Sequence, residues 1–114
     1  MPWTEQAIVT VSERKALETS RRVHAAEAVV EAMETYARAQ GGRFIVFGSF
    51  VDRRMKYGSD LDVMIEFDAS NRGSAWEFLE ALASRFDLPV GLFDRATTKD
   101  SFVQRVETTG LVLS

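Results

Sequence analysis

The chain has 114 residues, 46% hydrophobic and 27% charged, the balance of one soluble domain built around a single core. A net charge of −3 and an isoelectric point near 5.2 argue against a general nucleic-acid binder, because such proteins turn a basic field toward phosphates. With no cysteine, disulfides, thiolate metal sites and thiol nucleophiles are excluded. No apolar run approaches the length of a membrane span and no basic-then-apolar leader is present, so a soluble, cytoplasmic protein is expected.

Residues 1 to 11 contain Pro2-Trp3 and the partly β-branched run Ala7 to Val11, for which a short helix from Thr4 and an extended arm fit equally. Trp3 is a candidate interface residue for a homodimer in which this arm is exchanged. Ser12 suits an N-cap, Glu13 falls in the first turn and Gly41-Gly42 ends the pattern, so a long helix is predicted over residues 12 to 40. Its stripe of Val23, Ala26, Val30, Met33 and Ala37 is expected to cover one face of a sheet. Residues 1 to 24 then read as an amino-terminal helical extension of a single domain spanning 1 to 114.

Phe44-Ile45-Val46-Phe47 is β-branched and aromatic, which predicts a buried strand running into Gly48-Ser49 and then a short helix near residues 50 to 55. Asp60 to Phe67 alternates with period two. Leu61, Val63, Ile65 and Phe67 therefore fill a core while Asp60 and Asp62 share the other face. A turn-like stretch at 68 to 73 precedes a helix at about 73 to 86 carrying Trp76, Leu79, Ala83 and Phe86. A strand at 88 to 93, a helix from Lys99 to Glu107 and a strand at 111 to 113 complete the chain. The expected class is α+β: a mixed sheet of about four strands, with helices packed mainly on one face.

Two carboxylates separated by two strand positions stand about 6.5 Å apart at their backbones, near enough to converge on one ion. Oxygen ligands without Cys or His suit Mg²⁺ or Mn²⁺ and disfavour zinc. Glycine allows a phosphate to approach the backbone, and the Ser49 hydroxyl with the free N–H groups beyond it can hold the anion. Taken singly, each feature has a plainer reading: Asp60 and Asp62 as solvated acids on a strand, Gly48-Ser49 as a capped turn. Arg53, Arg54 and Lys56 read as surface charge or triphosphate contacts, Glu66 and His24 as surface side chains, and Trp76 as packing.

Gly48-Ser49, ten intervening residues and Asp60-x-Asp62, all between apolar segments, resemble the signature of the minimal nucleotidyltransferases, small members of the DNA polymerase β-like superfamily. The resemblance covers roughly residues 25 to 113. It implies the polymerase β-like fold, Asp60 and Asp62 as catalytic and metal-binding residues, Gly48, Ser49, Arg53 and Ser59 as nucleotide-binding residues, and ATP with Mg²⁺ as donor and cofactor. It further implies transfer of a nucleoside monophosphate to a hydroxyl, a tyrosine of a helical HEPN-domain partner being one acceptor, in a toxin–antitoxin pair. The chain departs from the family pattern twice. Asp52-Arg53 replaces the usual small residue and Arg-Gly, displacing the phosphate-facing arginine, and Gly91 stands where the third carboxylate belongs. Asp94, three residues further, falls on the opposite face of an ideal strand. These departures keep open two other expectations: a weak or inactive module that neutralises its partner by contact, and a stand-alone nucleotide-binding domain.

Overall fold

The computed structural model describes residues 10–114, and the readings for residues 1–9, including Trp3 and its arm exchange, lie outside the described residues. Helix α1 runs from Val11 to Gln40 without a break at residue 24. Its N-cap is Thr10 and not Ser12: Thr10 is extended, and its hydroxyl accepts from the Glu13 N–H at 3.0 Å, the three-residue reach that capping requires. At the other end Gly41 takes the left-handed conformation at φ 79°, and its N–H returns to the Ala37 carbonyl, as the predicted stop demands.

Strand β1 is Arg43–Phe47, β2 is Leu61–Glu66, helix α2 is Ala69–Arg85, and β3 is Val90–Asp94. A short 3₁₀ turn, Arg95–Thr97, leads to helix α3, Asp100–Thr109, and to strand β4, Leu111–Leu113. The described residues thus form an α+β fold of three α-helices and a four-stranded mixed sheet ordered β3-β2-β1-β4. β1 runs antiparallel to β2 and β4, and β2 runs parallel to β3. None of these helices is long and apolar enough to cross a membrane.

Helix α2 begins four residues earlier than the turn-rich composition of 68 to 73 predicts. The Asp68 carbonyl accepts from the Asn71 and Arg72 N–H groups at 2.9 and 2.8 Å, and Arg72 pairs with Asp94 on β3 at 3.3 Å. That long-range pairing favours helix over the weak local preference of Ser, Asn and Gly for turns.

The period of β2 sorts its side chains as predicted. Leu61, Val63, Ile65 and Phe67 join Phe44, Val46, Met33, Leu79 and the small residues of α1 in the main core. Val29 is more deeply buried than the expected Val23 and Val30, which pack at the margin of this core, as does Trp76. On the other face, Met64 and Ile45 are covered by Val103 and Val106 of α3. Helices therefore lie on both faces, with the two longer ones on the larger core. Phe102 of α3 reaches Phe47, and Asp62, opposite Phe47 on this face, is left half-exposed.

Candidate functional site

The register sets the neighbours of Asp62: Phe47 lies opposite it on β1 and Gly91 opposite it on β3. Both flanking glycines crowd its carboxylate. A methyl group built on Gly48 would stand 2.5 Å from Asp62 Oδ2, and one built on Gly91 would stand 2.7 Å from Oδ1. The Gly-Ser turn and the acidic pair are therefore one place in the molecule.

The Asp62 carboxyl is pushed above its ordinary value of 3.8, first by burial and then by the negative charge of Asp60. That electrostatic coupling is what two carboxylates turned to the same side produce in the absence of a counter-charge. Asp60, just before β2, is exposed.

Gly48 is left-handed at φ 80°, a conformation that admits glycine readily and other residues at a cost. Beyond it the chain forms consecutive turns and not the short helix that the strand-to-helix pattern suggests. The Asp52 N–H donates to the Gly48 carbonyl at 3.0 Å, Arg53 to Phe50 at 3.2 Å and Arg54 to Ser49 at 2.7 Å. Arg53 itself is left-handed at φ 58°, which prevents propagation into a regular helix. The N–H groups of Ser49, Phe50 and Val51, at the start of the turn, donate to no backbone carbonyl among the described residues. N–H groups without a backbone partner next to a glycine are a donor set of the kind that anions bind.

The remaining predicted residues are distributed around this centre. Arg53 is exposed and lines a cavity of about 590 Å³ with Val23, Glu27, Phe50, Val51, Met55 and Leu111, none of which belongs to the acidic pair. Arg54 pairs with Asp52 at 3.1 Å on the surface. Ser59 shapes the loop: its Oγ accepts from the Lys56 N–H at 2.9 Å and its own N–H donates to the Lys56 carbonyl at 3.0 Å. Asp94 caps the 3₁₀ turn through the Ala96 N–H at 2.9 Å and binds Arg72, so it belongs to the α2 side of the sheet, away from Asp62. No group of three or more His, Asp or Glu side chains suited to a metal occurs among the described residues. His24 is exposed on α1. Glu66 is not free in solvent but accepts from Arg43 at 3.0 Å, and the same guanidinium reaches Glu107 at 2.8 Å.

One contributor was absent from the sequence reading. Arg22 of α1 donates from Nη1 to the Ser59 carbonyl at 2.9 Å, fastening the loop that delivers Asp60. Glu18, whose carboxyl is held at about 2 by hydrogen bonds from Arg21 and then Arg22, orients both guanidiniums. Spacing within α1 shows the Glu18–Arg22 pair, but nothing local shows its reach across 37 residues. Arg22→Ala is expected to lower stability by about 1.5–3 kcal/mol, the worth of a charged hydrogen bond at a site only 13% exposed, measured by urea unfolding. Two oxygen donors beside a glycine-rich anion cradle can hold a hard cation and the phosphates it neutralises. No family model, curated protein or solved structure matches the chain.

Proposed function

We propose that this chain is a nucleotidyltransferase-like domain of polymerase β-like fold that binds a nucleoside triphosphate, with ATP as the expected donor, and passes its nucleoside monophosphate to a hydroxyl acceptor. The observation that carries this reading is the packing of Asp62 directly against Gly48, with Asp60 close enough to raise its proton affinity. The donor set fits Mg²⁺ or Mn²⁺ at Asp60 and Asp62, an ion that would supply charge neutralisation at the phosphates when bound. In this reading Gly48 admits a phosphate to the backbone, the Ser49 hydroxyl and the N–H groups of Ser49, Phe50 and Val51 donate to it, and Arg53 adds positive charge from the same turn. Ser59 serves through the loop it holds. Positioning and fixed dipoles supply the catalysis.

A second reading is favoured by a specific observation: the register puts Gly91, which has no carboxylate, beside Asp62. A domain with two acids and not three suits slow transfer, or an antitoxin-type module that neutralises a HEPN-type partner by contact alone.

Calorimetry with ATP, GTP, CTP and UTP, each with and without Mg²⁺, separates the two. Transfer chemistry requires Mg²⁺-dependent binding. At nucleotide 100 times above Kd the domain is then stabilised by about 2.7 kcal/mol, visible as a higher melting temperature. Joint replacement of Asp60 and Asp62 by asparagine is expected to remove that binding. Absence of binding at millimolar nucleotide, with partner association intact in the double variant, selects the contact-only reading.

A further inference from the structure

Val23 of α1, Phe50, Val51 and Met55 from the segment after Gly48, and Leu111 of β4 line the cavity of about 590 Å³. That volume falls within the range of roughly 300–1,000 Å³ that small-molecule sites occupy. The sheet separates this cavity from the Asp62 carboxylate. Leu111 stands opposite Val46, a member of the main core under α1, whereas Asp62 stands opposite Phe47, which packs on Phe102 of α3. Cross-strand partners share a face, so cavity and carboxylate open on opposite sides of the sheet.

The body of the wall is apolar. Met55 is buried, Phe50 and Val51 pack at the margin of the main core, and Leu111 keeps 42% of its surface exposed. Two further lining residues, Glu27 and Arg53, carry opposite charges. Neither forms an ion pair among the described residues, with the other or with any neighbour, so two uncompensated charges stand apart on one apolar wall. A ligand matched to this wall combines an apolar body with an ammonium for Glu27 and a carboxylate, whose two oxygens suit the planar fork of Arg53. A purely apolar ligand would leave both charges without a partner, and a phosphate-bearing one would set like charge against Glu27.

We propose that this cavity binds a small apolar zwitterion: an amino acid with a branched or aromatic side chain, or a dipeptide of such residues. The apolar body lies among Val23, Phe50, Met55 and Leu111, where the unbranched, polarisable Met55 adapts to a branched or a flat shape, and it withdraws Leu111 from water. The site stands independently of the transfer reading, and the failure of either leaves the other intact.

The test is calorimetry on the full chain, without nucleotide or metal. The probes are L-leucine, L-phenylalanine and leucyl-phenylalanine, beside isocaproate and isoamylamine, which keep the body of leucine but lack its ammonium or its carboxylate. At least one zwitterion is expected to bind at submillimolar concentration, and which of the three binds tightest distinguishes a free amino acid from a dipeptide. The singly charged analogues are expected to bind about tenfold or more weakly than that zwitterion, the worth of one charged hydrogen bond. Glu27 is exposed, so Glu27→Gln tests the site without disturbing the core, and it is expected to weaken the zwitterion by about tenfold while leaving isocaproate unchanged. Arg53 is left unaltered because its charge also enters the transfer reading. Asp62→Asn, on the opposite face of the sheet, is expected to bind the zwitterion as the unaltered protein does. No binding of any zwitterion at millimolar concentration, singly charged analogues that bind as tightly, undiminished affinity in Glu27→Gln, or loss of binding in Asp62→Asn overturns the assignment.

Discussion

Asp62→Asn is expected to reduce nucleotide transfer by about two orders of magnitude or more, read as loss of the one-nucleotide mass increase on an acceptor. The substitution preserves shape and, in the proposed transfer reading, removes the negative charge that would hold the phosphate-neutralising cation at the one carboxylate wedged between Gly48 and Gly91. Loss of fold does not explain such a result, because the same change is expected to stabilise the nucleotide-free domain at pH 7. The Asp62 carboxyl binds its proton more tightly when folded than when unfolded, first through burial and then through Asp60. Its favourable contribution is complete below the unfolded value of 3.8 and disappears as pH rises through the higher folded value, leaving a buried charge penalty at neutrality. Asp62→Asn should therefore raise the melting temperature at pH 7 and have little effect near pH 3. A melting temperature that falls at pH 7 would contradict this account of the pair.

Phe44→Ala is expected to cost about 3–5 kcal/mol, measured from the urea midpoint at unchanged slope. Phe44 is fully buried, and its ring lies 5.0 Å from Phe67 and 6.1 Å from Tyr36, which stacks on Phe78 at 4.0 Å. This aromatic group joins α1, β1, the end of β2 and α2, and β1 is the strand that ends in Gly48-Ser49. Truncation opens a void that a packed core cannot close, and for a domain of this size the loss corresponds to a fall in melting temperature on the order of 15 °C. Transfer activity should fall in step with the folded fraction and recover at lower temperature, which separates this variant from Asp62→Asn.

The legible parts of the chain are those where one residue's chemistry dictates its own geometry. Period two in Asp60 to Phe67 separates Asp62 from the core residues Leu61, Val63, Ile65 and Phe67, because successive strand side chains must point to opposite faces. Gly41 ended α1 as glycine does, and Asp94, three positions beyond Gly91, fell on the other side of the sheet, where it caps a turn and binds Arg72. Local pattern failed where distant partners supplied the energy. Residues 69 to 72 read as a loop but are helical, with Arg72 drawn to β3, and Glu66 read as a surface acid but is held by Arg43. The turn after Gly48 read as a helix, yet Arg53 turns left-handed and stops it.

The amino-acid order alone thus determined the class of fold, the placing of Asp62 on the face of β2 opposite Leu61 and Val63, and the glycine-serine bend, since all three follow from short-range sterics and side-chain period; Asp60 lies just before the strand and not on it. Only the tertiary structure decided that the bend meets Asp62, that Gly91 presses against its other flank, that Phe93 packs with Phe47 and Phe102, and that Arg22 fastens the loop at Ser59. Those contacts join residues far apart in the chain, and strand register and packing, which set them, are cooperative properties that no local window contains.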